Sequence, residues 1–467
     1  MSRISSMAYK KVDGMTMDDR RRSASNSRLY NRLHSLHSSR SASSSSPFNP
    51  KAFQHTFSYD DSTISGYLRK ELREDAQYLA LKYGNHSRMN QSGDGILSRD
   101  EMPVKVLNGS PGYINILDAL NGWQMVKELR EATGLPSAAS FKHVTPAGAA
   151  IGIPLSEAEA AACMVSDLSI DTKKPSLAAA YARARGADRM SSFGDMIALS
   201  DKCDEATAKI ISREVSEGVV APDYDPAALS ILVKKKGGNY TVFKIDPQYL
   251  PSETEERTIF GLKLRQKRNK TTVNADTFSN VVSECKDLPK SSVNDLIVAT
   301  IAIKYAQSNS VCIAHRGQVI GLGAGQQSRL HCTRLAADKA ANWFLRQHPR
   351  VLSLPWRSNL KRSERATGLE MLIESGLGGE EERDHYFTHP VSPLTLEERR
   401  EWLKEHSGVV LSSDGSFPAN DNMEIVTQCG VRFIAQPGGS TRDQPVIDAA
   451  NQYGIALIHT GLKLFHH

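Results

Sequence analysis

Apolar positions recur every three to four residues in "ILDALNGWQMVKELREA" (116–132), in "SVNDLIVATIAIKYAQ" (292–307) and in "STISGYLRKEL" (62–72). That spacing puts the apolar side chains on one stripe of a helix, so three amphipathic helices are predicted there. Between 292 and 347 the order reads helix, strand "VCIAH", a turn at Arg316 and Gly317, strand "QVIGLGAG", then helix "RLHCTRLAADKAANWFL". Nearer the C-terminus it reads strand "VRFIAQ", loop "PGGSTRD", helix "QPVIDAANQY", a stop at Gly454 and strand "IALIHT". Alternation of this kind predicts layered α/β units with sites at strand ends and helix starts. Residues 356–408 are charged and helix-like, and Thr395 followed by Glu398 has capping-box spacing, so this stretch reads as a helical insertion in an α/β body. No fixed-period repeat is visible.

Composition narrows the class. The 467 residues are 40% hydrophobic and 24% charged, which is ordinary for a globular chain of two or three packed units. No apolar run approaches the ~20 residues of a membrane-spanning helix, and the N-terminus lacks a secretory apolar block, so a soluble intracellular protein is expected. The net charge of +6 comes from residues 1–50, which hold nine Lys and Arg against three Asp; the remainder balances at 49 and 49. A neutral body offers no basic footprint for a phosphate backbone, so no nucleic-acid partner is expected. Fourteen serines in those same 50 residues, with few apolar ones, predict a tail that does not order. Its Arg and Ser also suit organellar import, although Asp13, Asp18 and Asp19 argue against that. The six cysteines show no C-x-x-C spacing, so neither a zinc site of that kind nor a disulfide framework is expected.

Taken singly, the candidate motifs are ambiguous. Lys142 beside His143 in "SFKHVTPAGAA" reads, taken alone, more readily as a surface pair or a structural histidine than as a cation and a base. "GLGAGQQSR" has phosphate-loop composition without the P-loop lysine, and a tight turn into a helix explains it better. The amides of "QPGGSTRD" precede a helix and suit an anion. Arg183, Arg185 and Arg189 in "RARGADRMSSFGD" are either ligand contacts or surface ion pairs. Asn309 in "QSNSVC" either reads a polar ligand or satisfies a buried loop.

The combination says more. "SFKHVTPAGAAIGIPL", "YARARGADRMSSFGD", "TAKIISREVSEGVVAPDYD", "QSNSVC", "GQVIGLGAGQQSRLHCTRLA", "IAQPGGSTRD" and the terminal "LFHH" stand in one order. From about residue 60 to His467 the chain resembles the transformylase domain of the bifunctional purine biosynthesis enzyme that formylates 5-aminoimidazole-4-carboxamide ribonucleotide. The resemblance implies two cytidine-deaminase-like α/β subdomains, at 56–245 and at 246–355 plus 409–467, with the helical insertion at 356–408 and the tail at 1–55. It implies a cytosolic homodimer with shared active sites, 10-formyltetrahydrofolate as co-substrate, and no zinc or other metal; the H-x-E and P-C-x-x-C pattern of zinc deaminases is also absent.

By the same resemblance His143 is the base that takes the proton of a poorly nucleophilic amine, and Lys142 stabilises the oxyanion. Lys82, Tyr83, Asn115, Gly194, Glu217, Asn309, Arg329 and Lys463 would meet the ribonucleotide. Leu330, Ser416, Asp421, Ser440 and Thr441 would face the folate. Four positions depart from the family pattern. Lys82 and Lys463 stand where arginine is usual and lose its bidentate fork, Glu217 replaces an aspartate, and Ser416 replaces an aromatic. Only the tail stands where the family carries its cyclohydrolase domain, so no cyclohydrolase activity is expected. The competing expectation is a weakly active or inactive paralogue acting as a nucleotide- or protein-binding dimer.

Overall fold

The computed structural model describes residues 102–171, 173–374, 383–417 and 421–466, together with two strands at 77–81 and 93–97. The helix expected at 62–72 lies outside the described residues. Strands β1 (Gln77–Leu81) and β2 (Gly93–Leu97) pair antiparallel. There follow β3 (Val104–Asn108), helix α1 (Tyr113–Thr133), β4 (Ser137–Lys142), β5 (Thr145–Ile151), α2 (Glu157–Ala162), α3 (Leu177–Ala187), β6 (Asp195–Leu199), α4 (Glu205–Arg213), β7 (Ser216–Ala221), α5 (Pro226–Leu232) and β8 (Thr241–Ile245). A hairpin of β9 (Thr254–Ile259) and β10 (Leu262–Lys267) stands apart from the main sheet. The second half runs α6 (Lys290–Lys304), β11 (Val311–His315), β12 (Gln318–Gly323), α7 (Arg329–Leu345), α8 (Pro349–Leu352), α9 (Arg362–Ile373), α10 (Leu396–Lys404), β13 (Val409–Ser413), α11 (Asp421–Thr427), β14 (Val431–Gln436), α12 (Asp443–Gln452) and β15 (Ala456–His459).

Eleven strands form one mixed sheet in the order β15-β14-β13-β11-β12-β5-β4-β6-β7-β8-β3. The two halves repeat one plan. A helix (α1, α6) precedes an antiparallel hairpin (β4–β5, β11–β12), a second helix follows it (α3, α7), and three strands then extend the sheet from the hairpin's first strand. The third strand is antiparallel to that first strand, and the next two are parallel. The halves meet where β5 and β12 pair antiparallel, Gln318 opposite Ala150. The α/β class and the duplicated subdomain plan implied by the resemblance are therefore present. The repeat is one of topology, and no fixed sequence period marks it.

Period-two alternation assigns strand residues to two faces. Ala139, Phe141 and Ala198 face α1 and α6 in one core, together with Ala435 and Ile458 from the second half. Ala138, Ile197 and Leu199 face α3, α4 and α5, while Ile313, Leu411 and Leu457 face α7 and α12. The result is three layers, helix–sheet–helix, in which α1 and α6 share one face. Contact on the other face is close. A Cβ on Gly148 of β5 would stand 2.1 Å from the Ala184 carbonyl, and one on Gly321 of β12 would stand 2.0 Å from the Ala336 carbonyl. Both halves therefore need a glycine for the crossing helix to lie against the strand.

The insertion builds a small core from Leu369, Leu372, Ile373, Phe387 and Leu394 together with Leu345 and Val351 of the helices before it. At its second helix the Thr395 hydroxyl accepts the Glu398 N–H at 3.2 Å, and the Glu398 carboxylate accepts the Thr395 N–H at 2.7 Å, as the spacing predicts. Polar ties join this unit to the first half: Arg362 meets Glu214 at 2.7 Å, and Arg346 pairs with Glu370 while donating to the Ala187 carbonyl.

Candidate active site

Lys142 ends β4, and His143 and Val144 form the two-residue turn into β5. Both turn residues have positive φ, 54° and 61°. A two-residue hairpin of this hand favours Asn-Gly; a β-branched valine in the left-handed region is strained. The strain is held from below. Asp118, on the sixth residue of α1 and only 5% exposed, accepts the Val144 N–H at 2.6 Å. Burial pushes the Asp118 carboxyl up to about 6, against the downward pull of the Val144 amide, the His143 ring and the His143 amide.

Above the turn, the Lys142 ammonium donates to the Phe193 carbonyl at 2.7 Å. Lys142 and His143 line a cavity of about 390 Å³ with Thr145, Ser191, Leu322 and Lys339. Lys142 also borders a second cavity of about 650 Å³. The wall of this cavity carries Arg213, Lys361 and Arg362, and its rim carries the exposed side chains of Met190 and Phe193. Arg213 is paired with Asp167 at 2.8 Å and Arg362 with Glu214 at 2.7 Å, so both guanidinium charges are already met. Gly194, at φ 78°, has open space where a Cβ would stand, so the backbone beside this rim is approachable.

The three arginines of "RARGADR" are neither surface pairs nor free ligands. Arg183 is fully buried and donates to Glu159, to Gln318 and to the carbonyls of Ile153 and Pro154. Arg185 pairs with Asp195 at 2.5 Å, and Arg189 with Glu214 at 2.9 Å. Arg185 ties down Asp195, two residues past the Ser191–Phe193 loop, and Arg189 lies two residues before it. Burial opposes its charge, but Arg189, Arg185 and Arg362 together hold the Glu214 carboxyl at about 2.

A second cluster forms at the start of α7. Arg329 donates to Asp414 at 2.6 Å, to the Ser413 hydroxyl at 2.8 Å and to the Asn309 side-chain oxygen at 2.7 Å. Asn309 in turn donates to the Gln326 carbonyl and lines a cavity of about 480 Å³ with Ser308, Gln327 and Phe465. The C-terminal segment is tied over this cluster, Leu464 N–H to the Asp414 carbonyl and His466 N–H to the Ser308 hydroxyl, which brings exposed Lys463 to the same edge. Leu330 follows Arg329 in the first turn of α7, and half-buried Ser416 sits two residues past Asp414.

Other expected residues are placed differently. Lys82 and Tyr83 lie outside the described residues, as does the side chain of Asp421, whose backbone opens α11. The Asn115 side chain caps its own helix, its oxygen accepting the Gly112 N–H at 2.7 Å. Glu217 pairs with Lys236 at 2.8 Å on an open surface. Ser440 and Thr441 are exposed, but the amide of Ser440 already donates to Asp443, so the helix start in "PGGSTRD" supplies its own anion. All six cysteines are free thiols. Among the described residues no cluster of His, Cys, Asp or Glu is placed to hold a metal, and no helix is long and apolar enough to cross a membrane.

Residues 23–339 match the model of the AICARFT/IMPCHase bienzyme family, more than half of the chain. The chain belongs to that family. Among curated relatives, the bifunctional purine biosynthesis protein PurH of Lactobacillus delbrueckii subsp. bulgaricus is 29% identical over 431 residues, covering 89% of this chain. The proteins of the same name from Lactobacillus acidophilus and Oceanobacillus iheyensis are 27% and 28% identical, with the same coverage. This chain spans 66% of the length of each of these relatives.

The AICARFT/IMPCHase match takes in Lys142, His143, Asn309, Arg329 and Leu330 and stops before Ser416, Asp421, Ser440, Thr441 and Lys463. Asp118, Asp414 and Glu214 were missed by sequence reasoning. Each acts on a partner in another element, and only the fold shows the pairing. For Asp118 a faint signal exists: an aspartate recurs as the sixth residue of the helix before each hairpin, in "YINILD" and "KSSVND".

Proposed function

We propose that this chain transfers a formyl group from 10-formyltetrahydrofolate to the 5-amino group of 5-aminoimidazole-4-carboxamide ribonucleotide, a step of purine biosynthesis. The observation that carries the reading is the Lys142–His143 pair, held on a clamped turn at the mouth of a cavity. The amine nitrogen attacks the formyl carbon while the His143 imidazole takes its proton, which keeps a weak nucleophile from becoming a cation. Negative charge then grows on the formyl oxygen. Lys142, fixed by one bond to Phe193, keeps two further N–H donors for it. Collapse breaks the bond to the donor's N10, which leaves as an amine after taking a proton. The Asn309–Arg329 edge suits the polar ribonucleotide, and the half-buried Ser416 in the loop beside that edge would meet the folate. Lys463 reaches that edge as well.

The reading includes a homodimer. The β9–β10 hairpin supports it, because Phe260 at its tip is fully exposed and Leu262, Leu264 and Ile259 lie open beside it. Apolar side chains held out in this way mark an interaction surface.

The test is folate-dependent formylation of the ribonucleotide by the purified full chain, with His143→Ala as the control. Turnover well above that control supports the reading. Turnover equal to the control at saturating substrates defeats it, and measurable ribonucleotide binding in that case would favour a non-catalytic nucleotide-binding protein.

A further inference from the structure

We propose that Asp118 is a positioning residue for His143, setting the place of the imidazole by clamping the strained turn that carries it. The inference rests on the reading of His143 as the base. Three observations support it. His143 and Val144 both occupy the left-handed region, which is strained for a β-branched valine. The Asp118 carboxylate is buried directly beneath them and accepts the Val144 N–H at 2.6 Å, a charge-assisted bond short enough to hold the turn in that state. The second half repeats the clamp without the chemistry: Asp295 accepts the amides of Arg316 and Gly317, both also at positive φ. There the turn has a glycine, so a clamp is less needed for the backbone. The first turn instead carries valine and relies on the carboxylate.

The second clamp supplies an internal control. Gly317 packs against Ile151, at the opposite end of β5 from the His143 turn, and six residue steps of strand separate the two by roughly 20 Å. Asp295→Asn therefore removes an equivalent buried carboxylate away from the proposed chemistry.

The experiment compares full-length Asp118→Asn with Asp295→Asn. Displacing a catalytic group by about 1 Å costs up to about a hundredfold in rate, so Asp118→Asn is expected to lower kcat by about tenfold or more with both KM values within about twofold. Asp295→Asn is expected to keep kcat within about twofold while lowering the melting temperature. Adding Val144→Gly to Asp118→Asn, which relaxes the turn, is expected to restore at least a third of the lost rate. If Asp118→Asn does not fold, the double variant is compared with Val144→Gly alone, and a kcat within about threefold supports the clamp while a tenfold gap overturns it. An unchanged kcat in Asp118→Asn, or an equal loss in Asp295→Asn, also overturns it. If the parent shows no turnover, the proposed function has failed, and the His143 ring resonances in histidine-labelled protein decide the inference. They shift in Asp118→Asn but not in Asp295→Asn if the clamp positions the ring, and stay in place in both if it does not.

Discussion

Asp118 and Asp295 occupy the same place in the two halves of the sheet. Each is the sixth residue of its helix, each is 5% exposed, and each accepts backbone amides from a tight turn whose two residues have positive φ. Burial raises both carboxyls to about 6. The turns differ in one respect: His143–Val144 lacks the glycine that Arg316–Gly317 has. Exchanging that feature should have opposite effects. Gly317→Val places a branched Cβ 2.6 Å from the Ile151 and Ile153 side chains at φ 70°, and should cost about 3 kcal/mol or more. Val144→Gly relieves strain at the price of chain entropy and should change stability by less than about 1 kcal/mol. Urea denaturation of both variants gives the comparison, and equal losses would rule out the strain at Val144.

The same two turns show how much the sequence reveals. Arg316–Gly317 is readable as a turn because glycine announces it, and the helix from Arg329 to Leu345 is readable to the residue from its periodicity. His143–Val144 lacks the glycine, asparagine or aspartate that marks a two-residue hairpin, and its valine disfavours one. The chain enters that conformation only because α1 delivers Asp118 beneath it, a contact 26 residues away in sequence. The arginines of "RARGADR" are hidden for a similar reason: their partners Glu159, Asp195 and Glu214 come from three separate segments, so the sequence left ligand contacts and surface ion pairs both open. Lys142 and His143 became interpretable through the motifs around them, and the duplication was legible only through the resemblance, because no fixed sequence period marks it.

Glu214 provides a pH test. Its carboxyl is held at about 2, against an ordinary value of 4.5, although burial pushes it upward; Arg189, Arg185 and Arg362 outweigh that. A lowered folded value means the unfolded chain binds the proton first. The stabilisation is therefore complete above pH 4.5 and is lost as pH falls toward 2. Glu214→Gln should cost about 3–5 kcal/mol at pH 7, because it strands buried guanidinium groups. The gap between parent and variant should narrow as pH drops from about 4.5 to about 2. Denaturation at three pH values measures it, and a gap that does not change with pH would show that the ion pairs contribute nothing.

The β9–β10 hairpin bears on assembly. Phe260, Leu262 and Leu264 are exposed together on a two-stranded ribbon that is not part of the main sheet. An isolated hairpin of this kind needs a surface to pack on. Phe260→Ser combined with Leu262→Ser should weaken self-association by at least about tenfold, since each buried side chain of this size contributes about 2 kcal/mol. Sedimentation equilibrium at several concentrations reads this. A parent chain that is monomeric throughout would remove the hairpin as a dimer contact, and with it the proposed homodimer.

Ser416 tests whether the substrate contacts have been weakened while the reacting pair stays in place. It sits in the loop after β13, next to Gly415, whose Cβ position lies 2.6 Å from the Arg329 guanidinium. The following residue, Phe417, is buried and donates its amide to Gln436, so the loop is anchored on one side of Ser416 and half-open on the other. An aromatic at 416 would extend the apolar surface beside the Arg329 edge without disturbing that anchor. Stacking and burial of one ring contribute about 1 kcal/mol, which corresponds to roughly fivefold in affinity. Ser416→Phe should therefore lower KM for the folate by about fivefold with kcat changed less than twofold, because the ring touches the bound ligand in ground and transition states alike. Steady-state kinetics with the folate varied at saturating ribonucleotide gives both constants. A fall in kcat with KM unchanged would place Ser416 away from the folate and return the loop to a purely structural role.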